Sequence, residues 1–207
     1  MERKKVYNGD FGDMKKVCVV TGGGSGIGFA AAKEAAKKGY YVMIVGRNEK
    51  KLAGAVEELR KDGCEAEAYS CDVSDREHCF ALARHAAECG AVKAVLHIAG
   101  MSPHMGDAEK IMQANALGTV NINDAFFEVI AEGGCVIDTS STSAYMAPSF
   151  IMPKRVYPLA CTDRKLFMDK MMKKVKMFPR KTREGVVYSM SIRTGIRVGN
   201  EDLRDIS

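Results

Sequence analysis

Short apolar runs alternate with amphipathic segments over the first 140 residues of the chain. The apolar runs have the length and composition of buried strands and lie at 16–22, 40–46, 65–73, 92–100 and 135–140. The segments between them have helical character and lie at 28–39, 48–63, 74–90 and 107–134. Because strands that alternate with helices build parallel sheets covered on both faces, the pattern predicts a doubly wound α/β sheet.

Local signals support the ends of three of these helices. Gly39 follows the first helix as a stop signal, and Asn48 precedes the second as an N-cap. Ser74, with Glu77 three residues later, has the pattern of a capping box at the start of the third.

The alternation stops after Ser141. About 45 residues at 143–187, with four prolines, exceed most loop lengths and predict an inserted lid or pocket wall. Within them, residues 164–183 hold nine Lys or Arg against one Asp, with apolar residues at helical spacing. This pattern fits a nucleic-acid surface, a membrane surface or an amphipathic helix with solvated charges. We favour the last, and expect neither a nucleic-acid nor a membrane partner.

Length and composition favour one soluble domain in the cytoplasm. The 207 residues are 46% hydrophobic with a net charge of +5, and no apolar run has transmembrane length. The charged N-terminus lacks the apolar region of a signal peptide.

Seven cysteines outside a secretory context are expected to be reduced. His85 and Cys89 have the i, i+4 spacing of two metal ligands, but without a further clustered partner we expect no metal site.

A glycine-rich turn follows the first predicted strand and opens the first predicted helix. It reads TGGGSGIG at 21–28. Glycines let the backbone turn tightly and approach a pyrophosphate, whose charge is stabilised at a helix N-terminus. The position of this turn inside a strand–helix–strand unit therefore predicts a nucleotide-binding site.

The spacing of these glycines resembles the TGxxxGxG turn of the short-chain dehydrogenase/reductase family, in particular its hydroxysteroid dehydrogenases and carbonyl reductases. CDV at 71–73 resembles the family's adenine pocket, with Asp72 as its carboxylate. HIAG at 97–100 stands where the family usually has NNAG. The resemblance covers about 17–145. It implies a Rossmann-type domain at 17–207, after an N-terminal extension at 1–16, and cofactor contacts from Gly22, Ser25, Gly26, Ile27, Gly28, Asp72, Val73, Ala99 and Gly100.

The end of the second predicted strand indicates which nicotinamide cofactor is bound. An NAD-selective site needs a carboxylate there to accept hydrogen bonds from the ribose 2′-OH. This chain has Gly46 at that position, followed by Arg47. Because a guanidinium neutralises a 2′-phosphate, we expect NADP(H).

The resemblance also implies a catalytic set. Asn115 in ANALGTVN matches the family's helical asparagine, VIDTSS at 136–141 places the catalytic serine at Ser141, and GVVYSMS places the tyrosine at Tyr188. In such a set the serine stabilises the charge that develops on a carbonyl oxygen, the tyrosine transfers the proton, and the asparagine helps to anchor a relay water.

The family's lysine four residues after the tyrosine is missing. A tyrosine phenol with its reference pKa near 10 is only about one part in a thousand ionised at pH 7, and the lysine lowers that pKa and holds the nicotinamide ribose. Ile192 occupies its position, and none of the seven tyrosines has a lysine at i+4. Arg193 lies about 140° around a helix from Tyr188, so it does not replace the lysine.

Only 19 residues follow Tyr188, where the family places a helix and two further strands. GIRV at 195–198 resembles the lead into the family's sixth strand. We therefore expect the sheet to be incomplete at its C-terminal edge; a deletion, a frameshift and a natural end remain open.

These features predict an NADP(H)-dependent oxidoreductase that reduces carbonyls or oxidises alcohols on a small hydrophobic, steroid-like substrate, with impaired activity in this chain. The alternative is a catalytically silent NADP-binding protein or a truncated gene product. A methyltransferase is disfavoured by the order of Asn115, Ser141 and Tyr188. The expected partner is a small carbonyl or alcohol substrate, and a homo-oligomer is compatible with the sequence.

Overall fold

The structure, a computed structural model, describes residues 14–146 and 148–202. Residues 1–13, most of the predicted N-terminal extension, lie outside the described part. The chain divides into two compact units. The first contains the described residues up to Ala99 together with Asn121–Thr139, and the second contains Gly100–Val120 and the described residues from Ser140 onward.

The first unit contains the predicted doubly wound parallel sheet. Its five strands are β1 Lys16–Thr21, β2 Tyr41–Gly46, β3 Ala66–Ser70, β4 Ala91–His97 and β5 Ile130–Asp138. Their order is β3-β2-β1-β4-β5, and every neighbouring pair is parallel. The direction of winding reverses between β1 and β4, where sheets of this class bind ligands.

Helices cover the two faces of this sheet. They are α1 Gly26–Lys37, α2 Glu49–Lys61 and α3 Arg76–Cys89. Along β1, Val17 and Val19 pack in the same apolar cluster as α3, whereas Cys18 and Val20 pack with α1 and α2. This two-residue alternation is that of a strand buried on both faces.

The second unit is helical. Its elements are α4 Ala108–Met112, a π-helical turn Gln113–Leu117, α5 Gly118–Phe127 (which continues into the first unit), α6 Ser143–Met146, α7 Leu159–Thr162, α8 Arg164–Lys176 and α9 Arg180–Asp202, with short 3-10 turns at Pro103–Met105 and Ser149–Ile151. Ile111, Phe167, Met171 and Met190 are fully buried in its core.

The basic segment forms the amphipathic helix that its sequence predicts. Asp163 is the N-cap of α8 and accepts a hydrogen bond from the Leu166 N–H at 2.9 Å. Phe167, Met171 and Val175, spaced four residues apart, are buried, so α8 contributes one apolar face to the core of the second unit. No helix in the described part of the chain combines the length and apolar character that crossing a membrane requires.

The predicted capping box at Ser74 is wrong. Asp75 is the N-cap of α3, and its carboxylate accepts hydrogen bonds from the N–H groups of Glu77 and His78. The Ser74 hydroxyl instead donates to Asp72 at 2.7 Å. Because a carboxylate is the stronger acceptor at a helix N-terminus, Asp75 takes the capping position.

The long helix predicted at 107–134 is interrupted by the π-helical turn and ends at Phe127. β5 then begins at Ile130 rather than at 135. Ile130 pairs with Val92 and packs against the apolar cluster of the first unit. Burial in the sheet therefore outweighs the helical propensity of the preceding segment.

The strand entry predicted at 195–198 is also wrong, because α9 continues through these residues to Asp202. Gly195 lies where α9 approaches Thr119. A Cβ atom at Gly195 would lie 3.2 Å from the Thr119 Oγ1. The glycine thus permits a close contact between helices.

The packing of α8 yields a stability prediction. Phe167 is 0% exposed, so we expect Phe167→Ala to lower the free energy of unfolding by about 3–5 kcal/mol through lost burial and a cavity. Its neighbour Leu166 is 38% exposed, and the matched control Leu166→Ala should change the free energy of unfolding by about 0.5 kcal/mol or less. Urea titrations followed by circular dichroism measure both; equal effects would contradict the buried face of α8.

Candidate functional site

The glycine turn lies at the carboxyl ends of β1 and β2. The N–H groups of Gly22 and Gly23 donate to the Val45 carbonyl at 2.8 and 3.3 Å. Gly22 has φ +69°, and a Cβ atom there would lie 3.0 Å from the Ala99 backbone nitrogen. A Cβ atom at Gly28 would lie 2.3 Å from the Gly22 carbonyl oxygen. Close backbone packing therefore requires glycine at both positions.

The N-terminus of α1 is open. Ser25 occupies the N-cap position in an extended conformation without a side-chain capping hydrogen bond in the described structure, and the first turn has no acidic residue. Gly26 has φ +57°, and a Cβ atom there would meet nothing within 4 Å. Ile27 is 75% exposed. An uncapped helix end in open space, free of negative charge, suits a pyrophosphate.

Arg47 and Asp72 face one another beyond the ends of β2 and β3. The Arg47 Nη1 lies 3.9 Å from the Asp72 Oδ2, and both side chains are solvent-accessible. The Asp72 Oδ1 accepts hydrogen bonds from the Ser74 N–H and hydroxyl at 3.0 and 2.7 Å. The next carbonyl, that of Val73, accepts one from Asn121 at 2.8 Å. Because an exposed ion pair contributes little stability, Arg47 can turn toward an incoming anion at small cost.

Thr21 connects the carboxyl ends of β1 and β4. Its Oγ1 accepts hydrogen bonds from the N–H groups of Ile98 and Ala99, both at 3.1 Å, and lies 2.8 Å from the Nδ1 of His97. Two donors already occupy the oxygen, so the hydroxyl hydrogen is directed at Nδ1. This assigns His97 as the neutral tautomer protonated on Nε2. Burial lowers the pKa of His97 to about 4.

Asn115 lies in the π-helical turn and is buried. Its Oδ1 accepts from the Met101 N–H at 2.7 Å, and its Nδ2 donates to the Met101 carbonyl at 2.9 Å and to the Ser191 Oγ at 3.3 Å. Gly100 leaves room for this contact, because a Cβ atom there would lie 3.3 Å from the Oδ1. Both amide hydrogens are engaged, so this side chain fixes the backbone that follows Gly100.

Ser191 links the helix that carries Tyr188 to the π-helical turn. Its hydroxyl donates to the Tyr188 carbonyl at 2.9 Å and accepts from Asn115. The Tyr188 side chain is half-buried and packs against the core of the second unit. Asn115 and the Tyr188 turn of α9 are therefore joined through one intervening hydroxyl.

Ser141 precedes α6. Its Oγ accepts a hydrogen bond from the Ser143 N–H at 3.2 Å, which leaves the hydroxyl hydrogen available to another acceptor. The helix α6 packs against α9. Over the described residues, no hydrogen bond joins the side chains of Ser141 and Tyr188, so the predicted catalytic pair is not directly connected.

Ile192 follows Tyr188 by one helical turn within α9 and is half-buried. The guanidinium of Arg193 lies 5.3 Å from the ring centroid of Tyr145 in α6. The cation nearest in sequence to Ile192 therefore contacts the ring of Tyr145.

Thr21 and Ser191 also form hydrogen bonds to the candidate site residues, and the sequence did not predict either of them. Thr21 was visible as the first letter of the TGxxxGxG pattern. Ser191 carried no local signal, because its contact with Asn115 spans 76 positions of the chain.

Comparison with known proteins places these features in a family. The family model described as short chain dehydrogenase matches residues 16–153. Sorbose reductase of Schizosaccharomyces pombe is 33% identical over 146 residues, which cover 64% of this chain and 57% of that protein. A 3beta-hydroxysteroid dehydrogenase of Mediterraneibacter gnavus is 32% identical over 139 residues, which cover 62% and 50%. The chain spans about half the length of these curated relatives.

A solved structure shows the same likeness. A short-chain type dehydrogenase/reductase from Mycobacterium ulcerans has 29% sequence identity and a TM-score of 0.58, over 62% of this chain and 52% of that chain. The shared part supports both the parallel sheet and its winding.

The neutral, buried His97 predicts a pH-dependent stability. Its pKa is about 4 in the folded chain against a usual 6.5, so the folded chain binds fewer protons between these values and loses stability as the pH falls through them. Asparagine does not titrate. Between pH 7 and pH 4, we therefore expect His97→Asn to lose less of its free energy of unfolding than the wild type, by on the order of 3 kcal/mol. Urea unfolding from pH 7 to pH 4 measures the difference.

His78→Asn, which changes an exposed histidine of the same unit, is the matched control. Parallel stability curves for the wild type and His97→Asn would show that His97 is not held neutral by its burial.

Proposed function

We propose that this chain, which belongs to the short-chain dehydrogenase family, is an NADP(H)-dependent oxidoreductase that interconverts a carbonyl and an alcohol on a small hydrophobic substrate. The observation that carries this proposal is the uncapped N-terminus of α1 at the glycine turn. A Cβ atom at Gly22 or Gly28 would meet backbone, while the space around Gly26 is open. This shape and polarity fit the pyrophosphate of a dinucleotide.

The remaining contacts of the cofactor follow from the same edge of the sheet. Arg47 would hold the 2′-phosphate, because Gly46 offers no carboxylate and the Arg47 guanidinium is accessible. Asp72 and Val73 would contact the adenine, and Ala99 and Gly100 would lie near the nicotinamide side. The turn residues Gly22, Ser25, Gly26, Ile27 and Gly28 would surround the pyrophosphate. When bound, the nicotinamide supplies the hydride.

The chain's own residues would manage the substrate oxygen and its proton. The free hydrogen of the Ser141 hydroxyl would stabilise negative charge on the carbonyl oxygen, and the Tyr188 phenol would donate the proton to it. Asn115 would act as a positioning residue, because its amide already bonds to Met101 and Ser191. A relay water would then have to bind an oxygen of Asn115 rather than its Nδ2.

A catalytically silent NADP-binding protein is the second candidate. It is favoured by Ile192 at the position of the family's lysine and by the stacking of Arg193 on Tyr145. Without the family's lysine one helical turn after Tyr188, the step that needs a phenolate as base, alcohol oxidation, suffers most. Reduction starts from the protonated phenol and would survive weakly.

The proposal that the substrate is steroid-like rests on fewer observations than the proposal of the cofactor. Met152 and Met171, in the segment 143–187, are buried in the core of the second unit, so they do not line an open pocket. Half-buried Met168 and Met172 remain as candidate contacts. The 3beta-hydroxysteroid dehydrogenase among the relatives adds a bulky hydrophobic substrate class to this argument.

Arg47 predicts the cofactor preference. NADPH should bind at least tenfold more tightly than NADH, a difference of about 1.4 kcal/mol. Arg47→Ala should remove most of this preference, because it deletes the partner of the 2′-phosphate while leaving NADH contacts intact. Calorimetric titration of both cofactors measures it. Arg84→Ala, which removes an exposed arginine of α3, is the control for net charge. An equal loss of the NADPH preference in both variants would contradict a specific role for Arg47.

The missing lysine predicts weak turnover. With NADPH and a panel of ketones, we expect cofactor binding but a kcat below about 1 s⁻¹, the low end of the usual range. Alcohol oxidation with NADP should be weaker still at neutral pH. Tyr188→Phe should abolish any residual reduction, whereas Tyr40→Phe, a control in the first unit, should not. Rapid turnover that Tyr188→Phe abolishes would show that the lysine is dispensable.

A further inference from the structure

A histidine, a cysteine and a glutamate meet in the first unit, outside the proposed cofactor site. His85 and Cys89 lie one turn apart on α3, and Glu67 lies on β3. The sequence showed only the first two, because Glu67 lies 18 and 22 positions away and reaches them through the packing of α3 beside the strand. All three side chains are partly buried.

The three candidate ligand atoms are spaced as a zinc ion requires. The Glu67 Oε1 lies 3.0 Å from the His85 Nε2 and 3.4 Å from the Cys89 Sγ, and the last two atoms are 3.8 Å apart. The circle through these three atoms has a radius of about 2.0 Å, which matches one face of a tetrahedron with zinc bonds of about 2.0–2.3 Å. A metal ion thus fits with little movement of the side chains.

Two of these ligands have neighbours that could orient them. Tyr41 on β2 interacts with the Glu67 side chain. The Nδ1 of His85, the nitrogen that would not bind metal, lies 4.0 Å from the Oε2 of Glu88. This distance is longer than a hydrogen bond, so Glu88 is only a nearby carboxylate of the kind that usually accepts the second N–H of a metal-binding histidine.

The donor set selects the kind of metal. One thiol, one imidazole and one carboxylate suit zinc, whereas calcium and magnesium require oxygen ligands. In the metal-free chain, the Cys89 thiol donates a hydrogen bond to the Glu67 carboxylate. A bound zinc ion would take the place of that hydrogen.

We propose that Glu67, His85 and Cys89 form a zinc-binding site that joins the edge strand β3 to α3, with water as the fourth ligand. A bound ion would tie β3 to α3 and so stabilise this edge of the sheet. It is independent of the proposed dehydrogenase function.

Metal titration of the full chain in a phosphine reductant tests the site. We expect one Co²⁺ per chain, with the thiolate-to-cobalt charge-transfer band and the strong visible bands of a tetrahedral ion, and displacement by Zn²⁺. Cys89→Ser should abolish the charge-transfer band. His85→Asn and Glu67→Gln should each weaken Zn²⁺ binding by more than about tenfold. Zn²⁺ should raise the melting temperature of the wild type but not of these variants.

Matched controls separate this site from binding elsewhere. Cys64→Ser and His78→Asn change a cysteine and a histidine outside the cluster and should leave affinity and spectrum unchanged. Tyr41→Phe keeps all three ligands and should weaken Zn²⁺ binding by about 10–100-fold. This variant still tests the site if a ligand variant fails to fold. Absence of Zn²⁺ binding, or binding that survives in the ligand variants, would overturn the proposal and leave the cluster as a hydrogen-bonded trio.

Discussion

β1 pairs in parallel with β2 on one side and with β4 on the other. Parallel pairing brings the carboxyl ends of the three strands to one edge of the sheet, and the chain leaves β1 and β4 toward opposite faces. The glycine turn, Arg47 and the loop after β4 meet at that edge for this reason alone. Their positions depend on the register in which β1 pairs with both neighbours, and the side chains along this pairing are mostly buried and apolar.

Polar side chains that bond to the backbone then hold this edge in shape. Thr21 accepts hydrogen bonds from two N–H groups beyond β4, and Asp72 accepts one from the Ser74 N–H. In the second unit, Asn115 bonds to both backbone groups of Met101. Each side chain satisfies loop groups that would otherwise be buried without partners. Loops fixed in this way can present their remaining atoms to a ligand without reorganising.

The two units differ in how much of their expected chemistry is present. The first unit carries an uncapped helix end, an accessible guanidinium and a glycine turn that excludes larger residues. The second carries hydroxyl groups, but Ile192 supplies no cation beside Tyr188 and Arg193 stacks on Tyr145. This difference supports our proposal that the chain binds a dinucleotide more readily than it transfers a proton.

Local sequence determined the features that depend on neighbouring residues. The strands of the sheet follow from short apolar runs, the glycine turn from its spacing, and the N-cap of α2 from Asn48, whose side chain accepts a hydrogen bond from the Lys51 N–H. These features depend on steric and hydrogen-bonding rules that act within a few residues. The parallel, doubly wound fold followed from their order along the chain.

Tertiary structure decided the rest. It ended α5 at Phe127, so that Ile130 pairs with Val92, and it kept 195–198 helical. It also brought Ser191 to Asn115 and Glu67 to His85 and Cys89, across separations that no local pattern encodes. Such contacts arise only when buried surfaces dock, because the free energy of packing, not local propensity, selects which distant side chains become neighbours.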